Sequence, residues 1–171
     1  MLPRLAFLVT AAALAAGCAT KAPQSAEEFR LMAPGAFMIK SESYEVKRPL
    51  REVAESFRRR APECLNLTVR TTSQTPGSYQ VLNTAYKSTV VPGAERAELH
   101  VQKSDLTGVI KVAKEPAGGY YIMVVDATPV DRGRTRIQLI GPSRGYDVVW
   151  RAIRGWATGE NLGCPDMTKI G

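Results

Sequence analysis

An apolar segment at the N-terminus constrains this chain most, because it decides which residues are left to fold and in which compartment. Arg4 supplies one positive charge, and residues 5–16 then carry no charged side chain. A short basic start followed by an apolar stretch and small residues is typical of a secretory signal peptide. The stretch falls well short of the roughly 20 residues that a membrane-spanning helix needs. We therefore expect export of the chain, with the leader outside the folded domain.

The leader ends in small residues at Ala15, Ala16 and Gly17, and Cys18 follows directly. This stretch resembles the lipobox of bacterial lipoproteins, in which a small-residue tripeptide precedes a cysteine that is acylated on its thiol and becomes the new N-terminus. Ala15 stands where that motif most often has leucine. The resemblance covers the leader alone. It implies a lipoprotein signal peptide over residues 1–17 and lipidation of Cys18, with palmitate as a suitable label.

The residue after Cys18 is Ala19 and not aspartate. By resemblance to Gram-negative lipoproteins, this implies sorting to the outer membrane, where the domain would face the periplasm. Several acyl chains hold a protein stably on a membrane, whereas a single chain holds it only marginally. The alternative is a conventional signal peptide that is cut near Ala16 or Ala19 and leaves no lipid on the mature chain.

The remaining residues divide into a tether and one domain. Residues 18–35 mix polar, small and proline residues without a clean period, and we interpret them as the lipidated N-terminus and a flexible tether. Fully extended, residues 19–35 reach roughly 55 to 60 Å at most, so the domain stays near its membrane. Residues 36–171 have an ordinary length for a single domain, and the apolar content of 44% is ordinary for a globular protein.

Beside Cys18, the mature chain holds two further cysteines, Cys64 and Cys164. In an oxidising compartment an even pair of cysteines forms a disulfide more often than a metal site. A zinc site normally needs four ligands, and only His100 and scattered carboxylates would supplement the two thiolates. We therefore predict a Cys64–Cys164 disulfide, no metal and no cofactor.

The spacing of apolar residues predicts two helices. The first opens after Pro49, where a missing N–H costs nothing, buries one face of residues 50–61 and is expected to end at Pro62. The second carries a broad apolar stripe over residues 146–157, and Gly159 is a suitable stop. Each cysteine follows a predicted helix end, so the disulfide joins these ends if the helices lie side by side.

Period-two alternation and turn residues predict the strands between and around the helices. The fold class is therefore α+β: an antiparallel sheet of about five or six strands with two helices packed on one face, in a two-layer sandwich with one disulfide. The first predicted strand is residues 37–46, with an interruption at 41–43. The others are residues 65–71, 79–91, 94–102, 109–114, 120–125 and 134–140.

Few residues suggest chemistry. His100 is the only histidine, and no nucleophile elbow, phosphate-binding glycine loop or metalloprotease motif accompanies it. Arg58, Arg59 and Arg60 form a basic run on the first helix that would suit contact with an anionic surface, although such runs usually serve solvation alone. Trp150 and Trp156 are expected in the core.

The formal charge is +7. For an exported protein this charge favours anionic lipid headgroups, other envelope proteins or anionic envelope polymers, and it gives no reason to expect nucleic acid. The first hypothesis is a non-enzymatic accessory or binding module at the membrane. The alternative is a domain that binds a lipid or apolar ligand between sheet and helices, which requires a lined cavity. An enzyme is the third hypothesis, and it requires a cleft that gathers His100 with acidic residues.

Overall fold

The computed structural model describes residues 21–107 and 114–170. Within these residues the chain forms six strands, three α-helices and a short 3-10 helix. Their order confirms the α+β class predicted from the sequence. In chain order the elements are α1 (Ala26–Met32), β1 (Ile39–Val46), α2 (Leu50–Leu65), β2 (Leu67–Thr75), β3 (Ser78–Val91), β4 (Ala97–Asp105), β5 (Tyr120–Pro129), β6 (Thr135–Pro142), α3 (Asp147–Thr158) and the 3-10 helix (Met167–Lys169).

The six strands form one antiparallel sheet in the order β1-β6-β5-β4-β3-β2. Strands β2 to β5 each pair with the next strand along the chain. Strand β1 pairs instead with the last strand, so that Ile39 lies opposite Pro142 and Val46 opposite Thr135. The predicted interruption at residues 41–43 is wrong, because β1 continues through them with Ser41 and Ser43 exposed.

Helices α2 and α3 pack on one face of the sheet, as predicted. The space between them and the sheet is filled by side chains that are almost fully buried, among them Phe57, Leu99, Val125 and Trp156. Burial of each large apolar side chain contributes roughly 1.5 to 3 kcal/mol. The expectation that both tryptophans lie in the core is confirmed, since Trp150 is 3% and Trp156 1% exposed. The middle of the space between the two helices and the sheet is therefore filled by the core.

Helix α1 packs on the opposite face of the sheet. The Ser25 hydroxyl accepts a hydrogen bond of 3.1 Å from a backbone N–H of the first turn. Phe29 is buried and packs with Val124 and Ile140 of the sheet. A flexible tether over 18–35 is thus the wrong description of α1, which is part of the domain. A helix of seven residues is too short for its apolar spacing to reveal it in the sequence.

Two further differences concern element boundaries. Helix α2 continues through Pro62 to Leu65, so the prediction that Pro62 ends the helix is wrong. Proline removes one intrahelical hydrogen bond, but burial of Cys64 and Leu65 in the core holds the last turn in place. The strand predicted over residues 109–114 falls almost wholly on residues 108–113, which lie outside the described residues.

The predicted disulfide is confirmed. Cys64 in the last turn of α2 is bonded to Cys164, which follows α3, and their Cα atoms are 5.0 Å apart. Just beyond the bridge, Met167 is buried in the main core. The bond therefore fixes the C-terminal segment against the helical face of the sheet.

Candidate functional site

An open groove lies between α2 and the connection from β3 to β4, with a volume of about 490 Å³. Leu50 and Ala54 of α2 form one wall, and Val90 of β3 lies in the other. Gly93 belongs to this connection, and a Cβ atom there would collide with the backbone carbonyl of Arg96. The turn thus needs glycine at position 93, and no side chain projects into the groove from that position. We call this site the apolar groove; its lining residues are Leu50, Arg51, Ala54, Glu55, Arg58, Val90, Pro92, Gly93 and Ala94.

The rim of the apolar groove carries positive charge. Arg58 and Glu55 form an exposed ion pair of 2.7 Å. Arg51 is exposed, and within the described part of the chain its guanidinium has no hydrogen-bond or ion-pair partner. A cation that borders an apolar groove without an internal counterion provides attraction for an anion.

A second depression, the basic recess, adjoins the apolar groove. It has a volume of about 500 Å³ and shares Arg51 and Glu55 with the groove. Arg48 also lines it, but the Arg48 guanidinium donates hydrogen bonds of 3.1 Å to the carbonyl oxygens of Trp156 and Ala157, so its role is largely structural. Arg51 is thus a cation without a partner among the described residues, and it is the arginine that borders both depressions.

The basic run predicted as a single surface is divided by the helix. Arg58 lies at the apolar groove, and Arg59 lines the basic recess. Arg60 points elsewhere, because its guanidinium donates a hydrogen bond of 2.5 Å to the Leu162 carbonyl and one of 3.0 Å to the side chain of Asn161. Successive helix residues point about 100° apart, so three in a row do not share a face.

A second polar feature, the Arg30 cluster, lies on the opposite face of the sheet, under α1. The Arg30 guanidinium donates hydrogen bonds of 2.8 and 2.7 Å to the two carboxylate oxygens of Asp126, and it also pairs with Glu98. Arg96 lies 2.9 Å from the other oxygen of Glu98. The side chains of Arg30, Glu98 and Asp126 are between 11 and 14% exposed. This bidentate arrangement fastens α1 to the sheet.

His100 belongs to the Arg30 cluster. Its Nε2 atom lies 2.8 Å from a Glu98 carboxylate oxygen, and its ring meets that of Tyr121 edge-on at 5.9 Å. Burial works to raise the pKa of Glu98, but hydrogen bonds from His100 and Arg30 outweigh it and hold that pKa below its usual value. A carboxylate that is already paired on both oxygens is poorly suited to activate His100 as a base.

The described residues contain no group of three or more His, Cys, Asp and Glu side chains arranged to hold a metal ion. Across residues 21–107 and 114–170, no helix is both long and apolar enough to cross a bilayer. Cys18, the expected site of lipidation, lies outside the described residues. Arg134 and Arg136 of the hairpin formed by β5 and β6 are largely neutralised, because both guanidinium groups pair with Glu45.

No family model matches this chain, and no curated protein matches it. Solved structures that share a likeness with this chain include the following three. A START superfamily protein from Mycobacterium smegmatis is 14% identical, with 71% of this chain and 94% of that chain covered and a TM-score of 0.33. The di-domain ARO/CYC protein BexL of the BE-7585A biosynthetic pathway is 15% identical, with 71% and 45% covered and a TM-score of 0.35. Protein MLL2253 from Mesorhizobium loti is 14% identical, with 70% and 95% covered and a TM-score of 0.31. The fold class stated above rests on the element and strand order of this chain.

Proposed function

We propose that this chain is a membrane-anchored, non-enzymatic binding module that holds an anionic amphiphile in the apolar groove. The ligand class is a single apolar chain that ends in a negatively charged head group. The observation that carries the proposal is the position of Arg51, a cation without a partner among the described residues, at the boundary between the apolar groove and the basic recess.

The groove has the dimensions and lining that such a ligand needs. Its volume of about 490 Å³ lies within the range of roughly 300 to 1,000 Å³ that is common for small-molecule sites. The side chains of Leu50, Ala54 and Val90 provide apolar contact along its walls. An apolar chain placed here removes hydrocarbon from water, which is the main favourable contribution to binding.

The charge of the rim explains the preference for an anion. Glu55 is paired with Arg58, so its negative charge is compensated at the groove itself. Arg51 then leaves net positive charge where the head group would lie. Such a partly exposed cation discriminates by charge and does not require the deep burial that makes an ion pair costly.

Fluorescence titration with dansyl-labelled undecanoic acid tests the groove. We expect saturable binding to the purified protein, and Arg51→Glu is expected to raise the Kd about tenfold, or about 1.4 kcal/mol. The methyl ester of the same probe lacks the negative charge, so its Kd should change much less in Arg51→Glu. This difference between acid and ester is the readout of the head-group contact.

Arg70→Glu is the matched control, because it makes the same change of charge at an exposed arginine on the other face of the sheet. Val69 faces the core, so the neighbouring Arg70 faces away from α2 and α3. Absence of saturable binding contradicts the proposed ligand class. If Arg51→Glu and Arg70→Glu raise the Kd equally, the effect comes from the net charge of the protein, and the proposed position of the head group at Arg51 is contradicted.

The anchor is the second part of the proposal. The small residues before Cys18 support acylation of its thiol, and Ala19 supports placement at the periplasmic face of the outer membrane. Cells grown with labelled palmitate are expected to label the wild-type protein and to leave Cys18→Ala unlabelled, with the label following the outer-membrane fraction. A labelled Cys18→Ala protein, or an unlabelled wild type, would contradict the anchor.

A further inference from the structure

Exposed apolar side chains are concentrated at the C-terminal end of helix α1 and in the turns that follow it. Seven large apolar side chains are exposed among the described residues, and four of them lie between residues 31 and 38. A scattered exposed apolar residue needs no explanation, whereas a concentrated set marks a binding surface. We call this stretch the apolar segment; its exposed members are Leu31 (74%), Met32 (48%), Phe37 (92%) and Met38 (48%).

The apolar segment is held in place by the domain. Two backbone hydrogen bonds tighten its turns, from Ala36 to the Ala33 carbonyl at 3.0 Å and from Ile39 to the Ala36 carbonyl at 3.2 Å. The Ser143 N–H donates a hydrogen bond of 2.8 Å to the Met38 carbonyl. Met38 has a φ of 63°, a conformation that non-glycine residues rarely adopt and that this bond helps to hold. Exposure of the segment is therefore a fixed property of the fold.

The expected lipid is joined to this surface by a short stretch of chain. Cys18 precedes the start of α1 at Ala26 by eight residues, which span at most about 29 Å when extended. Helix α1 is about 10 Å long, and its last two residues begin the apolar segment. The Arg30 cluster fastens α1 to the sheet, so acyl chains on Cys18 hold this end of the domain at the bilayer.

We infer that the apolar segment inserts into the lipid interface and fixes the orientation of the domain on the membrane. The occupant is a bilayer surface that contains anionic lipid. Arg144 lies next to Ser143, is exposed and has no ion-pair partner in the described part of the chain, so it provides a cation where the segment meets the headgroups. The inference rests on the proposed lipid anchor, and it adds which face of the domain meets the membrane.

Phe37→Trp converts the most exposed residue into a reporter of lipid contact. Trp150 and Trp156 are buried, so their emission gives a constant background. The purified variant is mixed with vesicles of phosphatidylethanolamine and phosphatidylglycerol. We expect the added emission to shift to shorter wavelength and to be largely lost when the acyl chains are brominated.

Tyr79→Trp is the matched control, because Tyr79 is 64% exposed at the start of β3 and no lipid contact is expected there. Equal quenching at both positions overturns the inference. A shift that depends on protein concentration and not on vesicles identifies a second copy as the occupant and also overturns it.

The outcomes separate this inference from the anchor. Palmitate on Cys18 without quenching of the Phe37→Trp variant overturns the inference and leaves the anchor. Quenching without palmitate supports the apolar segment as a lipid contact and overturns the anchor. Loss of both signals overturns both. In the Phe37→Trp background, Leu31→Ser is expected to reduce quenching, because it removes a second apolar contact with the hydrocarbon.

Discussion

Replacement of Cys64 and Cys164 together by alanine is expected to lower the free energy of unfolding by about 4 kcal/mol. The disulfide joins residues that are 100 positions apart, and a loop of that length gives about 4.7 kcal/mol in the chain-entropy model. The loss also frees the C-terminal segment, whose Met167 is buried in the core. Urea unfolding at neutral pH, compared with the wild type, measures the change.

Two controls accompany the double variant. Cys18→Ala also removes a cysteine but lies outside the described domain, and it is expected to leave the free energy of unfolding unchanged. Wild-type protein unfolded in the presence of a strong reductant should approach the stability of C64A/C164A. A loss below about 1 kcal/mol in the double variant would mean that packing around α2 and α3 holds the C-terminal segment without the bond.

Arg30→Met is expected to lower the free energy of unfolding by about 3 to 5 kcal/mol and to release α1 from the sheet. Removal of one partner from a largely buried ion pair leaves an uncompensated charge, and here two carboxylates, Glu98 and Asp126, lose their main partner. Urea unfolding gives the loss, and hydrogen exchange of the α1 amides reports its release.

Arg58→Met is the control for Arg30→Met, because Arg58 forms an exposed pair and is expected to cost less than about 1 kcal/mol. Acidification provides a second readout. The pKa of Glu98 is lowered in the folded protein, so its stabilising contribution is complete above 4.5 and is lost as the pH falls below that value. The difference between wild type and Arg30→Met should therefore shrink in acid. A difference that is constant with pH would show that Arg30 stabilises by packing.

The elements that the sequence predicts well are those in which local signals agree. Helix α3 combines a broad apolar stripe with Gly159, whose φ of 88° is the left-handed conformation typical of a helix stop. Helix α1 lacks such agreement, because its position depends on Asp126 and Glu98, which lie 96 and 68 residues further along the chain from Arg30. The Ser25 cap is a local signal for α1, but seven residues are too few for periodicity to identify the helix, and neither signal reveals the distant carboxylates that hold it.

The apolar groove illustrates the same limit for a functional site. The sequence identifies the apolar face of α2 and the turn at Pro92 and Gly93, but it does not reveal that the two lie side by side. The basic run at Arg58, Arg59 and Arg60 is what the sequence shows most clearly, whereas Arg51 is the arginine that the fold places at both depressions without a partner among the described residues. The sequence alone does not show that Glu55 forms an ion pair with Arg58 and leaves Arg51 without a partner. The structure is needed to tell an unpaired arginine from a neutralised one.

The pairing of β1 with β6 has a consequence for how the chain folds. Among the described residues, strand β1 pairs only with β6 (Thr135–Pro142), so the first strand in the chain cannot join the sheet before the last strand is available. The disulfide imposes the same order, since Cys164 lies beyond α3. Contacts between such distant residues slow folding. The sheet of this protein is therefore completed only when its last strand is available for pairing.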